Sequence, residues 1–214
     1  SMQAVDAELI PGYKTTLFGY NGSVPGPTIQ ATQGRQVVVR HMNALPAQHP
    51  ILGYTPWTSV HLHGSASLPQ YDGYASDVTM PVGGTREDGS VCVDGEYKDY
   101  HYPNHQQART LWYHDHGVHH TAENAYHGLA AQYHLYDDEE RALPLPKGKY
   151  DIALTIGDAM FQAPFTGADG RKKAPLLFSL DNQSGHWGNV ILVNGVPWPL
   201  MKVEPRKYRF RVLV

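Results

Sequence analysis

The sequence predicts an all-β protein built as a sandwich or barrel of short strands. Glycine and proline, with 21 and 16 of the 214 residues, interrupt the chain along its whole length. No long stretch shows the apolar period of 3.6 residues that marks an amphipathic helix. Between the turns lie short runs rich in valine, isoleucine, tyrosine and tryptophan, which favour strands.

The composition limits the class of protein. A hydrophobic content of 41% with 17% charged residues is typical of a folded globular chain. The net charge of -3 argues against a nucleic-acid partner, and no run of about 18 apolar residues predicts a membrane span. The 13 histidines favour metal binding, because histidine is the commonest protein ligand for metals.

The strands of the first half can be predicted in order. A hairpin-like segment over 1–35 ends in the turn-forming residues 20–27. An irregular, glycine-rich region follows over 64–95. Thr121 is a possible cap of a short helix over 121–126, with Gly128 as its stop. The predicted strands are 36–42, 58–63, 96–102, 109–115 and 129–136.

The second half begins after a run of charged residues over 137–141. Pro144 and Pro146 predict a linker over 143–149, which separates a domain over 1–142 from a second over 150–214. The last residues, 207–214, have the pattern of a strand, and a strand left unpaired exposes backbone donors and acceptors. We therefore expect 150–214 to be the N-terminal part of a domain that another polypeptide or a removed segment completes.

Two histidine pairs carry the strongest chemical signal. His61 and His63 are separated by one residue, as are His114 and His116, and each pair lies in a predicted strand. Residues i and i+2 of a strand point to the same face, so each pair can aim two imidazoles at one point. Four imidazoles could bind zinc, copper or nickel, and a set without thiolate fits copper or catalytic zinc better than structural zinc.

The neighbours of the second pair have predictable directions. Trp112 shares the face of His114, where it either walls the metal or is a plain core tryptophan. Asp115 faces the other way, so its carboxylate could support a metal-bound imidazole only on a neighbouring element. The one cysteine, Cys92, has no CxxC companion and is expected to be free.

These motifs resemble a known family. The segments HLHG at 61–64 and HDH at 114–116 are similar to the first two copper-binding motifs of the multicopper oxidases, and residues 20–28 and 195–199 support the match. More narrowly, residues 108–116, 121–126 and 203–211 resemble the fungal bilirubin oxidases and laccase-like phenol oxidases. The resemblance implies a cupredoxin-like Greek-key β-sandwich for 1–142 and the start of a second cupredoxin domain over 150–214.

The resemblance also implies roles for individual residues. His61 corresponds to a ligand of the type 2 copper, and His63, His114 and His116 correspond to ligands of the type 3 pair. Asp72 occupies the place of an acidic residue that assists proton delivery during O2 reduction. An aspartate before glycine is also a common turn residue, and both interpretations of Asp72 stay open.

The implied activity is that of an oxidase with copper as its cofactor. Such enzymes couple one-electron oxidation of phenols, aromatic amines or tetrapyrroles such as bilirubin to four-electron reduction of O2 to water. The family uses eight histidines for the trinuclear cluster and a His-Cys-His motif for the type 1 copper, and Cys92 lies in no such motif. We therefore expect a second chain, the C-terminal fragment of the same oxidase, to bring the missing ligands and the type 1 copper.

Two other classes stay open from the residues alone. A non-catalytic copper-binding cupredoxin is the alternative if this chain is the complete product. A zinc hydrolase would need an open metal position with a general base, and no HExxH-like signature supports it. Two glycosylation sequons, at Asn21 and Asn182, favour a secreted, extracellular glycoprotein.

Overall fold

The computed structural model describes residues 1–179 and 185–214 and is dominated by strands. The chain divides into two compact units. The first unit contains residues 1–5 and 18–143, and the second contains 6–17 and 144–214. The domain boundaries expected from the linker stay a prediction, since segment 6–17, far from the linker in sequence, clusters with the second unit.

An antiparallel hairpin opens the chain and contributes to both units. It consists of β1 (Met2–Ile10) and β2 (Tyr13–Tyr20). Gly12 forms the turn with a φ of 81°, a conformation that other residues rarely adopt. The outer part of this hairpin, residues 6–17, belongs to the second unit.

The first unit contains a four-stranded sheet that carries the histidine pairs. Its strands, in spatial order, are β3 (Ile29–Thr32), β8 (Ala130–Tyr136), β7 (Arg109–Asp115) and β5 (Val60–His63). β3 runs parallel to β8, whereas β8 and β7 pair antiparallel, as do β7 and β5. Neighbours that are not consecutive in sequence require crossovers, as in Greek-key topologies.

Two further strands and three short helical elements belong to the first unit. β4 (Val37–Met42) pairs antiparallel with β6 (Tyr97–Tyr102) over six residues. A 3₁₀ turn covers Pro69–Tyr71, and α1 (Thr121–Tyr126) follows β7. α2 (Asp138–Ala142) ends the unit, with Asp137 capping it by accepting a hydrogen bond from the backbone N of Glu140.

The predicted elements agree with the observed ones to within two residues for strands β4 to β8, and α1 has the predicted bounds. The expected cap was wrong: His120 holds the N-cap position, and Thr121 donates from its hydroxyl to the carbonyl of Gly117. Gly128 does follow the helix, with a φ of 120°. A Cβ at Gly128 would lie 2.6 Å from the carbonyl oxygen of Phe18, so glycine is required there.

The core of the first unit is unusually rich in tyrosine. Five tyrosines are at most 3% exposed and pack with Leu62 and Leu111 in one cluster: Tyr20, Tyr100, Tyr102, Tyr113 and Tyr133. In β7 the core face is formed by Leu111 and Tyr113. The pleat therefore directs Trp112 and His114 to the opposite face of the sheet.

The second unit has its own sheet, in the order β13 (Val196–Pro197), β12 (Val190–Val193), β9 (Asp151–Ala159) and β14 (Arg209–Leu213). β9 is central, with β12 antiparallel on one side and β14 parallel on the other. Arg211, 4% exposed, donates to both carboxylate oxygens of Asp151 at 2.9 and 2.8 Å, which ties β14 to β9. The short strands β10 (Phe165–Thr166) and β11 (Lys172–Lys173) extend the sheet of β2.

No helix among the described residues is long and apolar enough to cross a membrane.

Several histidines of the first unit are buried as neutral side chains, among them His41, His49 and His127. Burial lowers the pKa of His41 and of His49 to about 3 and the pKa of His127 to about 4. The ring of His127 lies 4.3 Å from that of His49, centroid to centroid, and its Nδ1 donates to the carbonyl of Glu123 at 2.8 Å. These groups take up protons more readily in the unfolded chain than in the folded one.

The protein should therefore lose stability in mild acid. An unfolded histidine binds its proton near pH 6.5, whereas folded His127 binds it only near pH 4, so stability is full above pH 6.5 and falls as the pH drops towards 4. His127 alone should cost about 2 kcal/mol at pH 5. Urea unfolding of wild type and His127→Gln at pH 7.5 and pH 5 measures this cost. His127→Gln should show a smaller loss on acidification, whereas His105→Gln, at an exposed position, should behave as wild type.

An equal pH dependence in His127→Gln and wild type would contradict the assignment of this acid sensitivity to His127.

Candidate metal centre

The register between β5 and β7 brings the two histidine pairs together. His61 lies directly opposite His114, and His63 lies opposite Trp112. These four side chains share one face of the sheet, because opposite residues of an antiparallel pair point the same way. Val60 and Leu62 are buried on the other face.

Three imidazoles form a compact group. One ligand nitrogen from each of His61, His63 and His114 lies within 4.8 Å of the other two. The ring centroids are 5.3, 5.5 and 5.7 Å apart. Nδ1 of His63 faces Nε2 of His114 at 3.4 Å. His114 is buried and His63 is exposed, so the group lies at the surface of the first unit.

The backbone orients two of these rings. Nδ1 of His61 lies 2.5 Å from the carbonyl oxygen of Asp72, and Nδ1 of His114 lies 2.7 Å from that of Asp115. Because a carbonyl can only accept, both Nδ1 atoms carry the proton and both Nε2 atoms keep a lone pair. Such outer hydrogen bonds are the usual support of metal-bound histidines. Burial also lowers the pKa of His114 to about 4, so its imidazole is neutral, as a ligand must be.

His116 lies beside this group and not within it. It follows the last residue of β7, and its backbone N donates to the carbonyl of Ser59 at 2.6 Å. Its ring is exposed and lies 5.3 Å from the ring of His61 and 6.0 Å from that of His114. The structure thus brings together three of the four predicted ligands, and the role of His116 stays a prediction.

Asp72 contacts the histidine group in two ways. Its carbonyl accepts from His61, and its Oδ1 lies 3.4 Å from the same nitrogen. Its side chain is about half exposed, at 47%. Asp72 ends the 3₁₀ turn, and Gly73 follows with a φ of 76°. Asp72 is therefore both a turn residue and a neighbour of His61, and its catalytic role stays a prediction.

Trp112 forms a wall of the histidine group. Its ring stacks on His114, with centroids 4.1 Å apart, and on His63 at 5.2 Å. The planes are inclined by 29° and 23° respectively. Trp112 is half-buried on the sheet face opposite the tyrosine core. Of the two interpretations that the sequence left open, the structure supports the wall.

Asp115 faces away from the imidazoles and is fully buried. Its Oδ1 accepts from the backbone N of Ser59 at 2.9 Å and of Gly117 at 3.2 Å, and its Oδ2 accepts from Nδ2 of Asn124 at 3.0 Å. Burial raises the pKa of Asp115 to about 7, and these hydrogen bonds oppose the rise. The direction of Asp115 away from the histidines was expected, whereas its partner Asn124 was missed because no local pattern marks a buried asparagine in a helix.

The donor set fits an imidazole-binding metal. All three grouped ligand atoms are imidazole nitrogens. In His61 and His114 the proton is held on Nδ1, so the lone pair of Nε2 is available to a metal. Cys92 is buried and free, and its Sγ donates to the carbonyl of Asp94 at 3.1 Å. Imidazole suits copper, zinc and nickel, so the geometry alone does not select the metal.

Comparison with known proteins identifies the metal. The sequence model of a family described as multicopper oxidase matches residues 1–140. The chain belongs to the multicopper oxidase family. It is 44% identical over 199 residues to the bilirubin oxidase of Albifimbria verrucaria, across 92% of this chain and 29% of that protein. It is 41% identical over 220 residues to a laccase of Bacillus stratosphericus, across 93% of this chain and 41% of that laccase.

Solved structures agree with the family. McoA, a multicopper oxidase of the hyperthermophile Aquifex aeolicus, superposes with a TM-score of 0.74 at 26% identity, covering 99% of this chain and 42% of that chain. The predicted resemblance and the predicted all-β, cupredoxin-like fold are confirmed. Copper is the metal that the family implies for the histidine group. The chain spans less than half the length of these relatives.

The turn after Asp72 should be essential to the site. A Cβ at Gly73 would lie 2.5 Å from the carbonyl oxygen of Val60, in the strand that bears His61. Gly73→Ala should therefore push Asp72 away from His61 and weaken copper binding, with a loss of stability of more than about 1 kcal/mol. Chelator competition measures the affinity for copper, and urea unfolding measures the stability.

Gly53→Ala is the matched control, because Gly53 has a φ of 77° and nothing within 4 Å of its added Cβ. Gly53→Ala should introduce the same backbone strain, from a side chain at positive φ, without a change in copper affinity. Equal copper affinity in wild type and Gly73→Ala would contradict the positioning of His61 by this turn.

Proposed function

We propose that this chain supplies half of the trinuclear copper centre of a multicopper oxidase. His61 would hold the type 2 copper, and His63, His114 and His116 would hold the type 3 pair. One observation carries the proposal: the register that sets His61 opposite His114 gathers three ligand nitrogens within 4.8 Å in a chain of this family.

The enzyme would couple one-electron oxidation of phenols, aromatic amines or tetrapyrroles to the four-electron reduction of O2 to water. Support comes from the relatives, which are named bilirubin oxidase and laccase. Bound copper would supply the one-electron redox chemistry, and the protein would supply geometry and the exclusion of side reactions.

The side chains around the histidines have distinct tasks in this proposal. The carbonyls of Asp72 and Asp115 hold the protons of His61 and His114 on Nδ1 and so direct Nε2 to the metal. The carboxylate of Asp72, about half exposed beside His61, can take a proton from solvent and hold it next to the site. Trp112 covers His114 and keeps water from that side of the ring.

The remaining ligands would come from a second polypeptide. Four histidines are half of the eight that the family resemblance implies, and the sequence contains no His-Cys-His motif for a type 1 copper. We propose the C-terminal fragment of the same oxidase as the partner, and that fragment would bind the reducing substrate.

An extracellular location is part of the same proposal. The sequon asparagine Asn21 is exposed on a turn with a φ of 51°, where a glycan could be attached. The second sequon, at Asn182, lies outside the described residues. Mass spectrometry of the protein from its native source tests for both glycans.

Loss of one ligand tests the function directly. His114→Ala should abolish O2 reduction on a phenolic substrate, because it removes the buried ligand that lies opposite His61. Any blue colour of a type 1 copper in the partner fragment should remain. The measurement is O2 consumption together with copper content, with the two fragments co-purified, and His105→Ala at an exposed position is the control.

Retained turnover in His114→Ala would refute the ligand assignment. Copper bound by the wild type without any O2 consumption would favour a non-catalytic copper-binding cupredoxin, and zinc without copper would favour a hydrolase.

Removing the acid beside His61 tests the proton-transfer role. Asp72→Asn keeps the carbonyl contact with His61 but cannot deliver a proton, so it should slow O2 reduction by roughly 100-fold and retain copper. Steady-state O2 consumption and copper content measure the two effects. Asp94→Asn, at an exposed position, is the control, and an unchanged rate in Asp72→Asn would make Asp72 a turn residue only.

A further inference from the structure

We propose that Asp115 and Asn124 form a positioning pair that fixes His116 beside the other three histidines. Both side chains are fully buried, and Nδ2 of Asn124, in α1, meets the carboxylate of Asp115 on the sheet face opposite the imidazoles. This inference rests on the proposed copper site, and it assigns a task to two residues outside the ligand set.

His116 needs a positioning device because strand pairing does not supply one. β7 ends at Asp115, and the last register pair between the two histidine strands is Val60 with Asp115. Beyond it, the backbone N of His116 donates to the carbonyl of Ser59 at 2.6 Å. Ser59 is therefore the neighbour whose position decides where His116 lies.

The carboxylate of Asp115 fixes Ser59 relative to the turn that follows His116. Oδ1 accepts from the backbone N of Ser59 at 2.9 Å and from that of Gly117 at 3.2 Å. These two residues lie just before the first ligand strand and just after the last ligand. One carboxylate thus joins the two segments that carry the four histidines. A Cβ at Gly117 would lie 3.1 Å from the carbonyl oxygen of Trp57, so the turn packs closely against Trp57.

Asn124 anchors this carboxylate to α1. Its Nδ2 donates to Oδ2 of Asp115 at 3.0 Å and to the carbonyl of Trp57 at 3.1 Å, and its Oδ1 accepts from the hydroxyl of Tyr54 at 2.7 Å. Asn124 is 0% exposed. Only a neutral amide provides two donors and an acceptor of this shape, so aspartate at 124 would lose both donated bonds.

If Asp115 and Asn124 only stabilised the fold, their removal would act like the removal of any other buried polar pair. Tyr133 donates from its hydroxyl to Asn104 at 2.8 Å, and both residues are buried in the first unit. Among the described residues, Nδ2 of Asn104 donates to the carbonyl of Arg35 at 2.8 Å, and no side-chain hydrogen bond of this pair joins a histidine segment. Removing it with Tyr133→Phe should lower stability and leave His116 unchanged, which makes Tyr133→Phe the matched control.

The experiment compares Asp115→Asn, Asn124→Asp and the double variant with wild type. Asp115→Asn replaces one of the two acceptor oxygens by a donor, so it loses the contact either with Asn124 or with the backbone N atoms of Ser59 and Gly117. The double variant allows a donor at 115 to face an acceptor at 124. The readouts are the imidazole ¹H–¹⁵N NMR signals of His116 and hydrogen exchange of its backbone amide in metal-free protein. Copper affinity is measured by chelator competition.

We expect Asp115→Asn to shift the His116 signals, to speed exchange of its amide and to weaken copper binding at least about 10-fold. The double variant should recover part of each effect. Tyr54→Phe, which removes only the outer hydrogen bond to Asn124, should give a smaller change in the same signals and serves if Asp115→Asn does not fold.

The two proposals fail separately. If wild-type protein binds no copper, the proposed function is overturned, while the metal-free signals of His116 still decide the positioning. If Asp115→Asn and Tyr54→Phe leave the His116 signals unchanged, or if Tyr133→Phe shifts them equally, the positioning pair is overturned and the copper site stands.

Discussion

The candidate copper site depends on the register between two strands. With His61 opposite His114, the imidazoles share one sheet face while Val60 and Leu62 enter the core. A slip of one residue would exchange these faces, burying two histidines and exposing two apolar side chains. The backbone N of Val60 also donates to the buried hydroxyl of Tyr100 at 2.9 Å, a contact that the slipped register would lose. Burial of apolar surface on one face therefore fixes the metal face on the other.

The sequence predicts features that depend on neighbours in the chain. The alternation around residue 113 predicts the bounds of β7 and the side taken by Trp112, because the strand period is local. The contacts between distant segments lie beyond such patterns. Neither the carbonyl of Asp72 on His61 nor Asn124 on Asp115 follows from any local pattern, since each joins residues brought together by the fold.

At His116 the alternation of side chains along the strand no longer predicts the direction of the side chain. Alternation predicts that it shares the face of His114, but the rule holds only inside a strand, and β7 ends at Asp115. Three imidazoles consequently form one group, and the fourth is placed by hydrogen bonds of its backbone and of the turn after it. Two histidines of one motif are thus held by different physical means.

A sheet face can supply ligands from one side only. His61, His63 and His114 project from two adjacent strands, and exposure rises from buried His114 to exposed His63. Metal ions in proteins usually take four or more ligands, and an imidazole set on one face leaves the outward positions to other groups. A preformed, one-sided set of imidazoles fits the proposed shared centre, because a metal site functions best when its supporting residues are already held in place. The hydrogen bonds behind the sheet, from Asp115 to Ser59 and Asn124, supply that rigidity without occupying the open side.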